Sequence, residues 1–274
     1  MKKFKNIAWA TDTHFELAND KQFKKFLQSA EEYDTLLITG DIAQATSWQH
    51  YVYKVAKKLA PMPVFFILGN HDIYHSELST EHDKLLSISV DNLYPLTIMP
   101  PYMIADDVAI VGHQNWWDGG YSEEYSNLID RTFMFQDYAL IDNLKGLVTP
   151  EQRFIRLKGM SEAATTIIIE KVKSAFEQVD NVILAVHVPP FKENCTHFGL
   201  PMTTNFLSHF SSKILGDALF FLMRNMPDKK LLVLSGHTHE ETTYSPLPNL
   251  TSRTNKANIL KPRVHTILKL KDLF

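Results

Sequence analysis

Residues 35–72 have the sequence TLLITGDIAQATSWQHYVYKVAKKLAPMPVFFILGNHD, which predicts a strand, a helix and a second strand. The apolar runs 35–39 and 64–68 are short enough to be buried strands, and each ends in a glycine and a polar residue. Between them, residues 46–59 place apolar side chains on one helical face, and Pro61 ends the helix. A helix that links two buried strands is typical of a parallel sheet with covering helices.

The same pattern continues on both sides of this stretch. Residues 6–11 predict a first strand, and the spacing of Phe23, Phe26, Leu27 and Ala30 predicts a helix after it, so the chain begins βαβαβ. Further strands are predicted at 108–111, 182–186, 231–234 and 264–270, further helices at 77–89, 131–141, 150–179 and 212–226, and aperiodic loops at 114–127 and 191–211.

Length and composition are those of an ordinary globular protein. The chain has 274 residues, 45% of them hydrophobic, and a formal net charge of −3. We expect a single domain over residues 1–274, with residues 188–211 as an insertion that caps a cleft. The near-neutral charge gives no reason to expect a nucleic-acid partner. A single cysteine, Cys195, excludes an intramolecular disulfide and a zinc ribbon.

Hydropathy predicts no association with a membrane. No run of about 18 apolar residues exists, and the first ten residues have too few apolar side chains for a secretory signal. We therefore expect a cytoplasmic protein. No heptad or self-pairing edge indicates an oligomeric state.

Polar groups follow five of the predicted strands. These groups are Asp12-Thr13-His14, Gly40-Asp41, Gly69-Asn70-His71-Asp72, His187 and Gly236-His237-Thr238-His239. Because ligands bind outside the carboxyl ends of strands in α/β sheets, we expect the five groups to meet at one edge. If the backbone is extended, each pair spaced by two residues points to one side and can hold one ion.

The donor set suits transition metals. It consists of two carboxylates, one amide oxygen and four imidazoles: Asp12, Asp41, Asn70, His14, His187, His237 and His239. Nitrogen and oxygen donors without thiolates suit Mn, Fe or Zn better than Ca or Mg. Seven donors are too many for one open site and fit two ions that share a carboxylate. Taken singly, each of these residues is better explained as a turn, a helix cap, a strand end or a surface side chain, and only the set together indicates a metal site.

The order D-T-H, G-D, G-N-H-D, H and G-H-T-H, over residues 12–239, resembles the calcineurin-like metallophosphoesterases. The resemblance implies an α/β fold with a two-sheet sandwich flanked by helices and a metal site at the C-terminal ends of the strands. It also implies one ion on Asp12, His14, Asp41 and His239, a second on Asp41, Asn70, His187 and His237, and Asp41 as the bridge. His71 becomes the acid that protonates the leaving group.

This assignment implies a dinuclear hydrolytic mechanism. On this assignment two ions held by these residues would supply a bridging hydroxide, which would attack phosphorus on the side opposite the leaving oxygen. A protonated His71 donates to that oxygen, and Asp72 or another carboxylate keeps it protonated.

The substrate class is narrowed by two short segments. Residues 42–45 lack the Asp and Arg that Ser/Thr protein phosphatases carry after their G-D, whereas H-x-P-P at 187–190 is similar to the small bacterial-type phosphodiesterase branch. We therefore expect a phosphodiester or a small phosphomonoester as substrate.

Two residues are candidates for substrate contact. His113 follows a predicted strand and a glycine, and Trp117 lies in the loop after it; the alternative is that they cover the edge of the core. His50, His75, His82, His209 and His265 are expected at the surface or in packing.

The main alternative for function is a catalytically silent scaffold of the same fold that acts as an interaction module. Other metallohydrolases fit less well. An amidohydrolase would place its H-x-H on the first strand, and a zinc deaminase needs P-C-x-x-C.

Overall fold

The computed structural model describes residues 4–121 and 135–274. Within them the strands are β1 Asn6–Ala10, β2 Thr35–Thr39, β3 Val64–Ile67, β4 Leu93–Pro95, β5 Tyr102–Met103, β6 Val108–Gly112, β7 Asn181–Ala185, β8 Thr196–His197, β9 Leu200–Pro201, β10 Lys230–Ser235, β11 Thr242–Leu247, β12 Leu250–Thr254 and β13 Thr266–Lys269. The α-helices are α1 Asp20–Ala30, α2 Trp48–Leu59, α3 Leu78–Leu86, α4 Asp137–Leu140, α5 Pro150–Phe176, α6 Thr204–Phe210 and α7 Lys213–Arg224. None of these helices is both long and apolar enough to cross a bilayer.

The first sheet contains the predicted βαβαβ unit. Its order is β13-β1-β2-β3-β4, and β1 to β4 run parallel, with β1 beside β2 and β2 beside β3. The strand predicted at 264–270 is present as β13, which pairs antiparallel with β1. Four parallel strands therefore point their carboxyl ends to one edge.

The second sheet repeats this arrangement. Its order is β11-β12-β10-β7-β6-β5, with β6, β7, β10 and β12 parallel and the two edge strands antiparallel. β7 and β10, which precede two of the polar groups, are neighbours at its centre.

Alternating side chains divide the core into layers. Ile7 and Trp9 of β1 lie in a cluster shared with Ile183 and Leu232 of the second sheet, so this cluster fills the space between the sheets. Ala8, which points the other way, lies in a cluster with residues of α1 and α2. A third cluster joins β6, β7 and β10 to α5 and α7. The molecule is a two-sheet sandwich flanked by helices, as the resemblance implied.

The sequence-based assignment is wrong in the insertion. Residues 191–211 were expected to be aperiodic, but they contain a turn, the hairpin β8–β9 and the helix α6. Short strands β4 and β5 and the hairpin β11–β12 were not predicted. The helix predicted at 131–141 lies partly outside the described residues, and its described part contains α4.

Candidate metal centre

The polar groups that follow β1, β2, β3, β7 and β10 meet where the two sheets come together at their carboxyl edges. The backbone N–H groups of Asp12 and His14 donate to the carbonyls of Gly40 and Asp41, at 3.0 Å each. Gly236 N–H donates to the carbonyl of His187 at 3.0 Å in the second sheet. These bonds tie the loops within each sheet, and side chains then join the sheets.

Asp12, His14 and His239 form one group of potential ligands, with one donor atom from each within 4.8 Å of the others. His239 Nε2 lies 3.2 Å from Asp12 Oδ1. His14 Nε2 lies 3.8 Å from Asp41 Oδ2, is buried, and has no hydrogen-bond partner among residues 4–121 and 135–274. Buried polar atoms normally have a hydrogen-bond partner. A metal ion between His14 Nε2 and the nearby carboxylate would supply the interaction that this nitrogen lacks.

Asp41, Asn70 and His187 form the second group. His187 Nε2 lies 3.0 Å from Asn70 Oδ1 and 3.4 Å from Asp41 Oδ1. Donors bonded to one ion at about 2.1 Å and at right angles are about 3 Å apart, so this spacing fits a shared ion. Asp41 therefore presents one carboxylate oxygen to each group, as the bridging role requires.

His237 lies beside the second group. Its ring centroid is 5.2 Å from that of His187, and its Nε2 is 3.0 Å from the carbonyl oxygen of His209. Because a carbonyl only accepts, Nε2 carries the proton, and Nδ1 is the nitrogen left available to a metal ion. By the same argument the Nδ1 of His187 donates to the Thr39 carbonyl at 2.9 Å, and its Nε2 is the nitrogen that faces Asn70 Oδ1 and Asp41 Oδ1.

Two further carboxylates orient the ligands, and the sequence analysis did not identify either. Glu16 Oε1 lies 3.6 Å from His14 Nδ1, and Asp137 Oδ1 accepts a hydrogen bond of 2.7 Å from Asn70 Nδ2. The second bond turns the amide so that its oxygen faces the ion. Glu16 follows His14 by two residues, but nothing in the sequence links Asp137 to Asn70.

The backbone at the ligands is left-handed. Asp12, His14, Asp41, His237 and His239 have φ between 39° and 69°. The expectation of extended backbone at the paired positions is therefore wrong, because the chain leaves each strand in a tight turn. His237 and His239 consequently approach different groups. Non-glycine residues rarely adopt this conformation, and it is concentrated at functional sites.

Two glycines make room for the ligands. A Cβ at Gly69 would collide with the Asp41 carboxylate, and a Cβ at Gly236 would collide with Thr11 and Asp12. Only a residue without a side chain can follow the strand at these positions. The backbone at these glycines thus lies directly against the side chains of Asp41 and Asp12.

Opposite charges hold the cluster together. Burial opposes ionisation, but the neighbouring His187 and His71 keep the pKa of Asp41 well below its usual range. His239 likewise lowers the pKa of Asp12 to about 2 against its burial. Burial opposes a charge on His187 too, yet the Asp41 carboxylate raises its pKa to about 10. Metal binding has to displace such protons from imidazoles, so it releases protons.

His71 lies at the rim of the centre. Its side chain is 33% exposed, and its Nε2 is 3.9 Å from Asp41 Oδ2 and 3.3 Å from the Tyr74 hydroxyl. Tyr74 in turn donates to Asp137 Oδ1 at 3.3 Å. Asp72, expected as a possible partner of His71, instead accepts hydrogen bonds from the backbone N–H groups of Ile42, Ala43 and Gly69. Asp137 is thus the carboxylate that Tyr74 connects to His71.

A cavity of about 300 Å³ opens on the metal ligands. Its lining includes Asn70, His71, His237 and His239 together with the aromatic or polar residues Tyr74, Phe135, Gln136, Asp137, His209 and Phe210. His209, expected at the surface or in packing, is buried yet lines this cavity.

The two residues expected to contact substrate lie outside this lining. Trp117 is buried, and its ring stacks on His237 with 5.7 Å between centroids and 7° between planes. His113 lines a different cavity, of about 540 Å³, next to α3 and α5. The structure therefore places Trp117 behind a ligand, while substrate contact by either residue remains a prediction.

The residues present fit a dinuclear centre. Of three donor groups among the described residues, two share Asp41 and two share Asp12, the His14 Nε2 atom has no hydrogen-bond partner among those residues, and the amide of Asn70 is oriented by Asp137. Nitrogen and oxygen donors of this kind suit divalent transition metals.

The sequence profile of the calcineurin-like phosphoesterases matches residues 5–241. The chain belongs to this family. It is thereby a metal-dependent phosphoric ester hydrolase by class, and the match contains every ligand described above. No curated protein matches the chain by sequence.

Solved structures show the same fold. The chain is similar to the phosphopantetheinyl hydrolase of Mycobacterium tuberculosis, with 12% identity, a TM-score of 0.67, and 93% of this chain and 91% of that chain covered. It is similar to a dimetal phosphatase from Danio rerio, with 13% identity, a TM-score of 0.54, and 95% and 89% covered. GAP50, the anchor in the inner membrane complex of Plasmodium, has 16% identity, a TM-score of 0.50, and 93% and 72% covered. At these identities the likeness is one of fold alone.

Proposed function

We propose that this calcineurin-like phosphoesterase hydrolyses a phosphodiester or a small phosphomonoester at two metal ions, with His71 as the acid for the leaving group. The observation that carries the proposal is the position of His71, which is partly exposed at the rim of a cavity lined by metal ligands. A substrate phosphate in this cavity would lie between the buried donors and the His71 ring.

The ligands divide into two sets that share Asp41. One set is Asp12, His14, Asp41 and His239, and the other is Asp41, Asn70, His187 and His237. When bound, two ions such as Mn, Fe or Zn would activate water and neutralise the charge that develops on the phosphoryl oxygens. The chain supplies orientation: Glu16, Asp137 and the carbonyls of Thr39 and His209 hold the ligands in place.

His71 can hold a proton where the leaving group departs. Its Nε2 faces the Tyr74 oxygen at 3.3 Å, and the Tyr74 hydroxyl passes its own hydrogen bond to Asp137. An imidazole N–H at this position can donate either to Tyr74 or to a leaving oxygen in the cavity. Proton donation by a positioned side chain contributes about 10²–10⁴-fold to such reactions.

The small cavity and the sequence after Gly40 favour a small substrate of the phosphodiesterase branch over a phosphoprotein. A cytoplasmic location also stays a prediction, supported by the single cysteine. The alternative of a silent scaffold is represented among proteins of similar fold, because GAP50 is named as an anchor. The complete donor set of this chain weighs against it.

The test is hydrolysis by metal-stripped protein with and without added Mn²⁺, using a nitrophenyl phosphodiester, the matching monoester and an alkyl phosphodiester. We expect metal-dependent turnover. His71→Asn should lower kcat by about 10²–10⁴-fold for the alkyl ester and less for the nitrophenyl ester, because nitrophenolate needs no proton to leave. Two ions should remain bound, as measured by elemental analysis.

His50→Asn is the matched control, because His50 is exposed and lies outside the cavity. Loss of an ion in His71→Asn would make His71 a ligand instead of an acid, which its place in a third donor group with His14 and Asp41 allows. A folded, metal-loaded protein without turnover on any ester would contradict the proposal and restore the scaffold alternative.

A further inference from the structure

A second cavity, of about 310 Å³, adjoins the metal cavity on the side of the insertion. Its lining is His197, Pro201, Met202, Thr203, Phe206 and Phe210. These residues come from the hairpin β8–β9, the turn after it and the helix α6. None of these six described residues is a lysine, arginine, aspartate or glutamate, so the lining suits an uncharged group.

The two cavities share a wall. Phe210 lines both of them, and its ring centroid lies 4.9 Å from that of the metal ligand His237. Phe135, which lines the metal cavity, has its ring 5.9 Å from Phe210 and 6.3 Å from Phe206. A molecule whose phosphate reaches the metal ligands therefore has aromatic rings directly beside it.

The hairpin that contributes His197 and Pro201 to this cavity also exposes two large apolar side chains. Phe198 and Leu200, on the hairpin β8–β9, are 86% and 68% exposed, which is unusual for large apolar side chains. Glu240, the residue after the ligand His239, fixes the hairpin: its carboxylate accepts hydrogen bonds from Thr196 Oγ1 at 2.9 Å, from Gly199 N–H at 3.0 Å, and from Phe198 N–H. Glu240 thus links the hairpin β8–β9 to the segment that carries His239.

We propose that this cavity, lined by Met202, Phe206 and Phe210, binds an apolar, planar organic group of the phosphoester substrate. The substrate class is then an aryl or similarly apolar ester, not a sugar phosphate. The inference rests on the proposed function, because it places the phosphate at the metal ligands. A volume of about 310 Å³ is at the lower end of small-molecule sites, and aromatic walls favour an aromatic ligand.

Calorimetric titration of the metal-loaded protein with benzylphosphonate and methylphosphonate tests this inference. The two ligands have the same phosphonate head and no ester to hydrolyse, so they differ only in the ring. Burial of one aromatic ring predicts that benzylphosphonate binds at least about tenfold more tightly. The readout is the ratio of the two dissociation constants, which does not depend on turnover.

Phe206→Ala should reduce that ratio to nearly one, and Met202→Ala should reduce it partly. Phe221→Ala is the matched control, because Phe221 is 71% exposed on α7 and should leave the ratio unchanged. Met202→Ala also serves if Phe206→Ala does not fold. Equal affinities in the natural protein would overturn the inference, as would a preference that survives in both pocket variants.

Failure of the inference and failure of the proposed function give different results. Metal-dependent turnover without a benzyl preference would overturn the aromatic pocket and leave the hydrolase. A benzyl preference without turnover would support the pocket and contradict hydrolysis.

Discussion

Single residues at the centre depart from the conformations that their types prefer. Asp41 and four other candidate ligands have left-handed backbone, and Gly69 is packed so tightly that a methyl group would meet a carboxylate. Such positions persist only when their surroundings determine them. Residue identity and backbone conformation are therefore coupled here.

Gly69→Ala should abolish occupancy of the second ion. The added Cβ would collide with Asp41 and press on the ring of His187, so at least two ligands must move. We expect a loss of metal affinity of about 100-fold or more, measured by titration with Mn²⁺. Gly159→Ala in α5 is the control, because a Cβ there meets no atom within 4 Å. Normal Mn²⁺ affinity in Gly69→Ala would contradict this prediction, because it would mean that the loop can shift without displacing Asp41 and His187.

At the scale of elements, the side chain of Asp72 joins the loops after β2 and β3, which the bond from His71 N–H to Asp41 Oδ1 at 2.9 Å also connects. Asp72 accepts from Ile42 N–H and Ala43 N–H at 2.9 Å and from Gly69 N–H at 2.8 Å. Asn115 makes a similar connection, since it exchanges two hydrogen bonds with the backbone of Val188. These buried bonds hold the loops that carry the ligands.

Asp72→Ala should lower the free energy of unfolding by about 3 kcal/mol or more, because three buried N–H groups lose their acceptor. Urea denaturation measures the loss. Asp72→Asn, which keeps one acceptor oxygen, should cost less. Asp217→Ala is the surface control, since the side chain of Asp217 is 69% exposed. A loss below 1 kcal/mol in Asp72→Ala would mean that water replaces the carboxylate.

At the scale of the whole molecule, stability should fall in mild acid. Burial, helped by the nearby Lys171, lowers the pKa of His113 to about 4. Between pH 6.5 and 4 the unfolded chain binds a proton at this position and the folded chain does not, so stability is lost as pH falls. From pH 6.5 to 5 the loss is about 2 kcal/mol.

Urea denaturation of the natural protein and of His113→Gln at pH 6.5 and 5 checks this contribution. The variant should lose about 2 kcal/mol less over that interval. His50→Gln, at an exposed position, should behave like the natural protein. An identical loss in His113→Gln would show that His113 takes up its proton while folded.

The sequence predicted the sandwich and the meeting of its polar groups at one edge because both depend on local patterns. Apolar runs such as 35–39 mark buried strands, and polar groups at their ends meet wherever parallel strands share an edge. Long-range partners leave no such pattern: Asp137 lies 67 residues from Asn70 and orients it through a single hydrogen bond. The role of His209 was hidden for the same reason, since its backbone carbonyl, and not its side chain, contacts His237.

The position of Glu240 has a consequence for communication within the molecule. Glu240, whose carboxylate anchors the hairpin β8–β9, directly follows His239, a ligand of the proposed centre. A metal ion that binds His239 would restrict the backbone of the neighbouring Glu240. Through the hydrogen bonds of Glu240 it would also restrict the hairpin β8–β9, which carries Phe198 and Leu200. Thermodynamic linkage makes such an effect reciprocal. Binding of the metal ions would then raise the affinity of the pocket for the organic group, and binding of that group would raise the affinity for the ions by the same factor.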